Sequence, residues 1–177
     1  MTIRHVIDTT IASAASDSPT TNQIGSSCRE FLLVVRTSKQ SIVLSPTLNR
    51  EWREHRSAFT REWLVSMFAK RLVITLGDQE NTELREKLAT IKMKEKEREN
   101  AEKDFFLLEL ALQTDRCVSS LDETVRSIYK SVAQTMGEIK LIVWVNPTVV
   151  DEKCLDWLND GCPADKHRQL GVQEGNE

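Results

Sequence analysis

Four acidic residues stand beside predicted strands and helices, where they could share one site. They are Asp8 at the end of RHVID, Glu51 within SPTLNREW, Asp104 before FFLLELAL, and Asp122 just after CVSS. Carboxylates that meet in one cleft repel one another unless some are protonated or a cation neutralises them. Hard divalent ions with oxygen ligands, Mg²⁺ or Mn²⁺, are the usual solution in proteins. The residue types therefore predict a divalent-metal site, provided that the fold brings them together.

Five short β-branched stretches are the elements that would position these acids. They are HVID (5–8), SIVLS (41–45), LVITL (72–76), CVSS (117–120) and LIVWV (141–145). Their apolar residues are continuous rather than alternating, as in strands covered on both faces. Helix-length patterns lie between them. Alternating strands and helices predict a three-layer α/β/α fold with a mainly parallel, about five-stranded central sheet.

Apolar periodicity predicts the surrounding helices. The first covers about 28–35, and the second runs from an N-cap at Ser45 along an apolar stripe that ends at Met67. The third runs from Leu121 to a C-cap glycine at Gly137, and the fourth covers about 150–158. Residues 80–103 are predicted as a helix whose first half packs and whose charged second half projects into solvent or frays. The alternative for that second half is a basic arm that contacts a phosphate backbone, although interleaved glutamates weaken it. Its cations would be Lys92, Lys94, Lys96 and Arg98.

The geometry of βαβ units predicts that the four acids line one edge of the sheet. Right-handed crossovers place the end of each strand and the start of the next helix at that edge. Asp104 is expected to open its helix, and Asp8 and Asp122 to follow the first and fourth strands, so the acids converge on one crevice if these two strands are neighbours. Acids are also common in first helical turns because they interact favourably with the helix dipole, so each one alone is more readily a cap. The combination of four acids at one edge of the sheet favours a metal-binding site.

The composition predicts one domain over residues 1–168, with a charged helical insertion at 78–103 and a disordered tail at 169–177. The net charge of -3 shows no overall basic field, although local patches can still bind nucleic acid. Four cysteines without CxxC spacing indicate reduced thiols. No apolar run approaches the roughly 20 residues that cross a bilayer, so we expect a cytoplasmic protein without a membrane segment.

Three stretches resemble the PIN domain, the metal-dependent nuclease fold of VapC-type toxins and RNA-processing proteins. VIDTT is similar to the family's opening strand, although Thr10 stands where the family usually has Asn or Ser. LSPTLNREWREH resembles the second element, with Glu51 as the best match to its glutamate. DFFLLELALQTDRCVSSLDETVR resembles the family's most specific pattern, with Asp104, Ser120 and Asp122 in the matching positions. The match spans roughly residues 4 to 145 in order and spacing.

The resemblance implies a role for each matching residue. Asp8, Asp104 and Asp122 would hold one or two Mg²⁺ or Mn²⁺ ions, with the first strand central and the fourth beside it. Glu51 would orient or deprotonate the attacking water, or share the ligation. Thr10 and Ser120 would hold the carboxylates in position. The implied reaction is hydrolysis of single-stranded RNA, and the implied partners are an antitoxin protein and a second copy in a homodimer.

Cations near the acids would guide a phosphate backbone into an acidic cleft. The candidates for substrate binding are Arg50 and Arg53 beside Glu51, and Arg126 after Asp122. Trp52 and Trp63 could stack on bases, but their helical spacing favours core positions. An aspartyl-phosphate enzyme would need a second acid where Thr10 stands. The remaining alternative is a catalytically silent PIN-like scaffold that binds RNA or protein.

Overall fold

A parallel sheet forms the centre of the protein in a computed structural model, which describes residues 2–18 and 22–173. The strands are β1 (Arg4–Ile7), β2 (Ser41–Leu44), β3 (Val73–Thr75), β4 (Cys117–Ser119) and β5 (Val143–Val145). Their order is β3-β2-β1-β4-β5, and every adjacent pair is parallel. The five predicted strands are therefore all present, with β1 central and β4 beside it. The predicted α/β fold class is confirmed.

Helices lie between the strands in the described part of the chain. They are α1 (Thr9–Ala14), α2 (Gln23–Thr37), α3 (Pro46–His55), α4 (Ala58–Ala69), α5 (Thr82–Thr90), α6 (Glu95–Leu112), α7 (Glu123–Ala133) and α8 (Cys154–Asn159). Three-residue 3₁₀ turns occupy Gly137–Ile139, Val150–Glu152 and Lys166–Arg168. The Ser45 hydroxyl caps α3 by accepting from the Leu48 amide at 3.3 Å, as predicted.

Three predicted helix boundaries are wrong. The last helix, predicted over about 150–158, begins only at Cys154, because Val150–Glu152 forms a separate 3₁₀ turn. The apolar stripe that ends at Met67 belongs to two helices, because the chain breaks after α3 and a second cap starts α4. The Ser57 hydroxyl accepts a hydrogen bond from the Thr60 amide at 3.1 Å there. Helix α7 ends at Ala133, so Gly137 is not its C-cap and instead begins a 3₁₀ turn.

The charged segment after β3 forms two helices rather than the predicted one. Helix α5 packs through the buried Leu84 and Leu88. Helix α6 then begins at Glu95, and its first half is attached to α5 rather than projecting into solvent. Arg98 donates to the Leu88 and Ile91 carbonyls at 3.2 and 2.7 Å. Its guanidinium is therefore engaged within the protein, which argues against the basic-arm alternative at this position.

The core confirms the predicted location of the tryptophans. Trp52 and Trp63 are fully buried, and their indole N–H groups donate to the carbonyls of Ile7 and Leu32 at 3.1 and 2.7 Å. Trp144 and Tyr129 are buried as well. The four cysteines are free and buried. Within the described ranges, no helix has both the length and the apolar character needed to span a membrane.

The predicted disordered tail is wrong for its first part. Gln169 forms an isolated antiparallel bridge with Val143, and the Leu170 amide donates to the Ile142 carbonyl at 2.9 Å. The Leu170 side chain is buried in the core. These contacts place the chain beside the start of β5 at Gln169 and Leu170. The rest of the predicted tail, 174–177, lies outside the described residues.

Candidate active site

One open pocket lies at the carboxyl end of the sheet, with a volume of about 540 Å³. We call it the acid pocket, because it is lined by the four acids that the sequence singled out, Asp8, Glu51, Asp104 and Asp122. They come from four separate parts of the fold: the end of β1, α3, α6 and the start of α7. The structure therefore brings the predicted acids together from distant parts of the sequence.

Asp8 is held by two hydroxyl groups rather than by the helix that follows it. It precedes α1 but its side chain makes no capping hydrogen bond. Its Oδ2 instead accepts from the Thr10 and Ser120 hydroxyls, both at 2.7 Å. In the described parts of the chain, no hydrogen bond reaches Oδ1. Helix capping therefore does not explain Asp8, whose carboxylate is fixed on one side and open on the other.

Ser120 also connects Asp8 to Asp122. Its hydroxyl donates to Asp8 and accepts from the Asp122 amide at 3.1 Å. The Thr10 hydroxyl acts in a parallel way, because it accepts from the Leu121 amide at 3.1 Å. The two residues predicted to position the carboxylates thus bridge the end of β1 and the segment after β4. Thr9 and Thr10 are the first two residues of α1.

Asp122 and Glu51 each have one oxygen engaged. Asp122 is the N-cap of α7, because its Oδ1 accepts from the Val125 amide at 2.8 Å. The helix-capping role considered for Asp122 therefore applies to its Oδ1. Glu51 Oε2 accepts from the Thr9 hydroxyl at 3.1 Å, which links α3 to α1. Within the described residues, neither a hydrogen bond nor an ion pair engages the other oxygen of either group, and each remains able to bind a ligand.

Asp104 does not open its helix, contrary to the prediction. It is the tenth residue of α6, because the charged residues before it are helical and continue the same helix. The helix N-terminus therefore cannot account for its position. In the described part of the chain its carboxylate has neither a hydrogen bond nor an ion pair. Burial raises its pKa to about 6, the nearby Asp8 carboxylate adds to the shift, and Lys103 opposes it.

The predicted cations divide between the pocket and the rest of the protein. Arg50 lines the acid pocket, but Arg53 does not. The predicted substrate-binding role of Arg126 is corrected, because only 7% of this residue is exposed and its guanidinium binds within the protein. It pairs with Glu152 and donates to the Trp144 carbonyl at 2.8 Å. A group engaged in this way is not open to a substrate.

Lys103 and Glu54 are charged lining residues that the sequence prediction did not include. Lys103 lines the acid pocket beside Asp104 and provides a cation near it. Glu54 adds a fifth carboxylate, one helical turn after Glu51. Glu54 follows Glu51 by three residues, a spacing that places both on one helix face, whereas only its position directly before Asp104 pointed to Lys103.

The donor set fits a hard divalent ion by its chemistry. Oxygen ligands at about 2.0–2.1 Å are what Mg²⁺ requires, and carboxylates are prominent in the lining of the acid pocket. Within residues 2–18 and 22–173, however, no three His, Cys, Asp or Glu side chains are already gathered closely enough to hold an ion. Like charges separate when no cation holds them together. Side-chain rotation towards the centre of the pocket would be needed for binding.

Comparisons with known proteins provide no relative for this chain. No family model, no curated protein and no solved structure matches it. The resemblance to PIN domains therefore stays a prediction that rests on the three sequence stretches. The functional argument depends on the acid pocket itself.

Proposed function

We propose that the protein is a Mg²⁺- or Mn²⁺-dependent endoribonuclease that hydrolyses phosphodiester bonds of single-stranded RNA. The observation that carries the proposal is the acid pocket, in which four carboxylates meet without an ion pair to any described cation. Uncompensated, partly buried carboxylates destabilise a fold, so their retention in one open pocket favours a function. The choice of RNA rests on the sequence resemblance.

The roles of the residues follow from their free oxygens. Asp8, Asp104 and Asp122 would hold the ion through oxygens that make no protein hydrogen bond. A bound Mg²⁺ or Mn²⁺ would supply positive charge at the phosphate and lower the pKa of a coordinated water. Glu51, fixed through Oε2 by Thr9, offers Oε1 to orient that water or accept its proton.

Two cations are positioned to bind the substrate backbone. Arg50 and Lys103 are exposed side chains that line the acid pocket. A phosphate that approaches the pocket would meet these charges before it meets the carboxylates. Arg50 can form two parallel hydrogen bonds to phosphate oxygens, whereas Lys103 acts as a point charge. Together they would hold the scissile phosphate against the acids.

A scaffold without catalysis is the second candidate function. It is favoured by the finding that no three metal-ligating side chains among the described residues are already gathered. In that case the protein would bind RNA or a protein and cut neither. Titration of Mn²⁺ by calorimetry separates the candidates, because the nuclease must bind the ion at millimolar concentration or below and the scaffold need not.

The partners remain part of the same proposal. We infer from the resemblance that an antitoxin protein and a second copy of the chain are candidate partners. A small reading frame beside the gene would support the toxin role, and size-exclusion chromatography would measure the oligomeric state.

The test of the proposed function is cleavage of labelled single-stranded RNA by the purified protein. We expect cleavage with Mn²⁺ and none after addition of EDTA. Asp8→Asn should lower the rate by about 10³-fold, because it removes one charged ligand whose contribution is several kcal/mol. Asp160→Asn, at an exposed position after α8, is the matched control and should retain wild-type activity. Metal-independent cleavage, or full activity of Asp8→Asn, would overturn the proposal.

A further inference from the structure

A second cavity lies next to the acid pocket, along the same helix. Its volume is about 200 Å³. Lys103 lines both cavities, so the two are contiguous on the protein surface. Phe106 and Leu110 lie one and two turns further along α6 and line only the second cavity. A chain bound at the acid pocket would therefore reach this cavity beyond Lys103.

The wall of the second cavity offers an aromatic surface. Phe106 is half-buried and packs against the core, which fixes its ring. Leu110 beside it is buried. Aromatic side chains on which bases stack are the common feature of single-strand binding sites. The size also suits one flat ring system, because the volume is below the roughly 300 Å³ of a pocket for a whole drug-sized ligand.

Two of the acids around the second cavity are already engaged. Glu109 accepts two hydrogen bonds from Arg85, at 2.8 and 2.7 Å. Asp78 accepts from the amide and the hydroxyl of Thr47, the latter at 2.9 Å. These carboxylates serve the fold and have little capacity left for a ligand.

The remaining acids set the charge of the rim. Glu80 and Glu102 are exposed and line the cavity. Among the described residues, the one ion pair of Glu102 is long, with 3.9 Å between its carboxylate and the Arg98 guanidinium. With Asp78 and Glu109 they outnumber the lining cations Arg85 and Lys103. A negatively charged rim repels a phosphate but accepts hydrogen bonds from an amino group.

We propose that the second cavity binds the base of a nucleotide next to the cleaved bond, stacked on Phe106, and prefers bases with an exocyclic amino group. Adenine, cytosine and guanine carry such a donor and uracil does not, so carboxylates at the rim discriminate against uracil. Glu80 is the principal acceptor, because it has no ion pair within the described residues. This inference rests on the proposed function, since it assigns a substrate preference to the same site.

The experiment uses uridine oligomers that contain one internal cytidine, and it maps every cut. Wild-type protein with Mn²⁺ should cut beside the cytidine about tenfold faster than between two uridines. Phe106→Ala and Glu80→Gln should each reduce that ratio towards one, with the loss of Phe106 raising KM rather than lowering kcat. Phe106→Tyr should restore the ratio, because it keeps the stacking surface.

Phe68→Ala is the matched control, since Phe68 is an exposed phenyl ring on α4. It should keep the wild-type ratio. Circular dichroism checks the fold of Phe106→Ala, and the exposed Glu80→Gln provides an independent measurement if that variant unfolds. Metal-dependent cleavage without base preference, or a preference that survives both substitutions, would overturn this inference alone. An absence of both Mn²⁺ binding and cleavage in the wild type would overturn the proposed function and this inference with it.

Discussion

Two clusters of charged side chains lie beyond the carboxyl ends of the strands, and they balance their charges in opposite ways. After β5, Glu152 is paired with Arg126 and lies 3.8 Å from Arg168, forming what we call the arginine cluster. Glu152 also accepts from the Asn146 amide at 3.0 Å. The four singled-out acids of the acid pocket make no ion pair among the described residues.

The difference separates structural charge from functional charge. A buried carboxylate is stable when its own protein supplies the opposite charge and the hydrogen bonds. The arginine cluster does this internally and leaves nothing for a ligand. The negative charge of the four acids in the acid pocket would instead be neutralised by a ligand from outside the protein. The same acid-to-amide substitution should therefore have opposite effects on stability in the two places.

The largest expected effect is at Glu152, whose side chain is only 12% exposed. Glu152→Gln should reduce the free energy of unfolding by about 4 kcal/mol, because it removes the buried counter-charge that Arg126 and Arg168 share and leaves them only exposed partners. Glu123→Gln is the matched control: it pairs with the same Arg126 but its side chain is 51% exposed. It should cost below about 1 kcal/mol. Urea unfolding measures both, and equal effects would remove the contrast between buried and exposed pairing.

A third buried group stays neutral instead of being paired. His5 is fully buried between Cys117 and Cys162, with ring nitrogens 3.2 and 3.4 Å from the two sulfurs, and burial lowers its pKa to about 4. The unfolded chain binds a proton near pH 6.5, so its contribution to stability is complete above that pH. It is lost as the pH falls towards 4, to a total of about 3 kcal/mol.

Urea unfolding at pH 7 and pH 4.5 tests this dependence. His5→Gln should have a shallower decrease in stability than the wild type over that interval. His55→Gln, at an exposed histidine, should decrease as the wild type does. An NMR titration of the His5 ring checks the pKa directly. An equal pH dependence in His5→Gln and wild type would contradict the prediction.

Asp104→Asn should stabilise the protein in the absence of metal. It removes a half-buried charge surrounded by other carboxylates, and the expected gain is about 2 kcal/mol at pH 7.5 after allowing for solvent screening. The same variant should bind Mn²⁺ more weakly, so its advantage should shrink as Mn²⁺ is added. Thermal unfolding with EDTA and with Mn²⁺ measures both effects. A clear loss of stability in EDTA would mean that Asp104 has a structural role.

The smallest expected effect concerns the hydroxyl that bridges Asp8 and Asp122. Ser120→Ala should weaken Mn²⁺ binding about tenfold, because the Asp8 carboxylate loses one of the two donors that fix it. Ser127→Ala, at an exposed serine of α7, is the control. Calorimetric titration compares the two. Unchanged affinity in Ser120→Ala would show that Thr10 alone is sufficient to orient Asp8.

The sequence predicts those features of the fold that depend on local pattern and on chain handedness. Continuous β-branched runs identified all five strands, and the right-handed crossover rule placed Asp8 and Asp122 at one edge of the sheet. The assignment of Ser120 to a position beside Asp122 rests instead on the resemblance of its stretch to PIN domains. The strands and their shared edge follow from neighbours in sequence or from a rule that holds for nearly all parallel sheets.

The failures involve contacts between residues far apart in sequence. The sequence predicts Arg126 to be an exposed cation on a helix. Only the fold shows that it contacts Glu152 and the Trp144 carbonyl. The start of α6 was misplaced because a charged stretch gives no apolar signal, although its residues favour helix. Attachment of Arg98 to the end of α5 is a tertiary contact that no periodicity reveals.

Because Asp104 lies in the interior of α6, the length of the helix before it does not determine where its carboxylate lies. Helix α6 packs on β1 and β4, and this contact fixes its register. Removing one turn at Glu95 would shorten the helix by about 5.4 Å at its far end and leave Asp104 above the same strands. A single-residue deletion between Asp104 and the residues packed on the sheet would instead rotate the carboxylate by about 100° about the helix axis, away from the pocket. The amino-terminal part of α6 can therefore vary in length, whereas the part after Asp104 cannot.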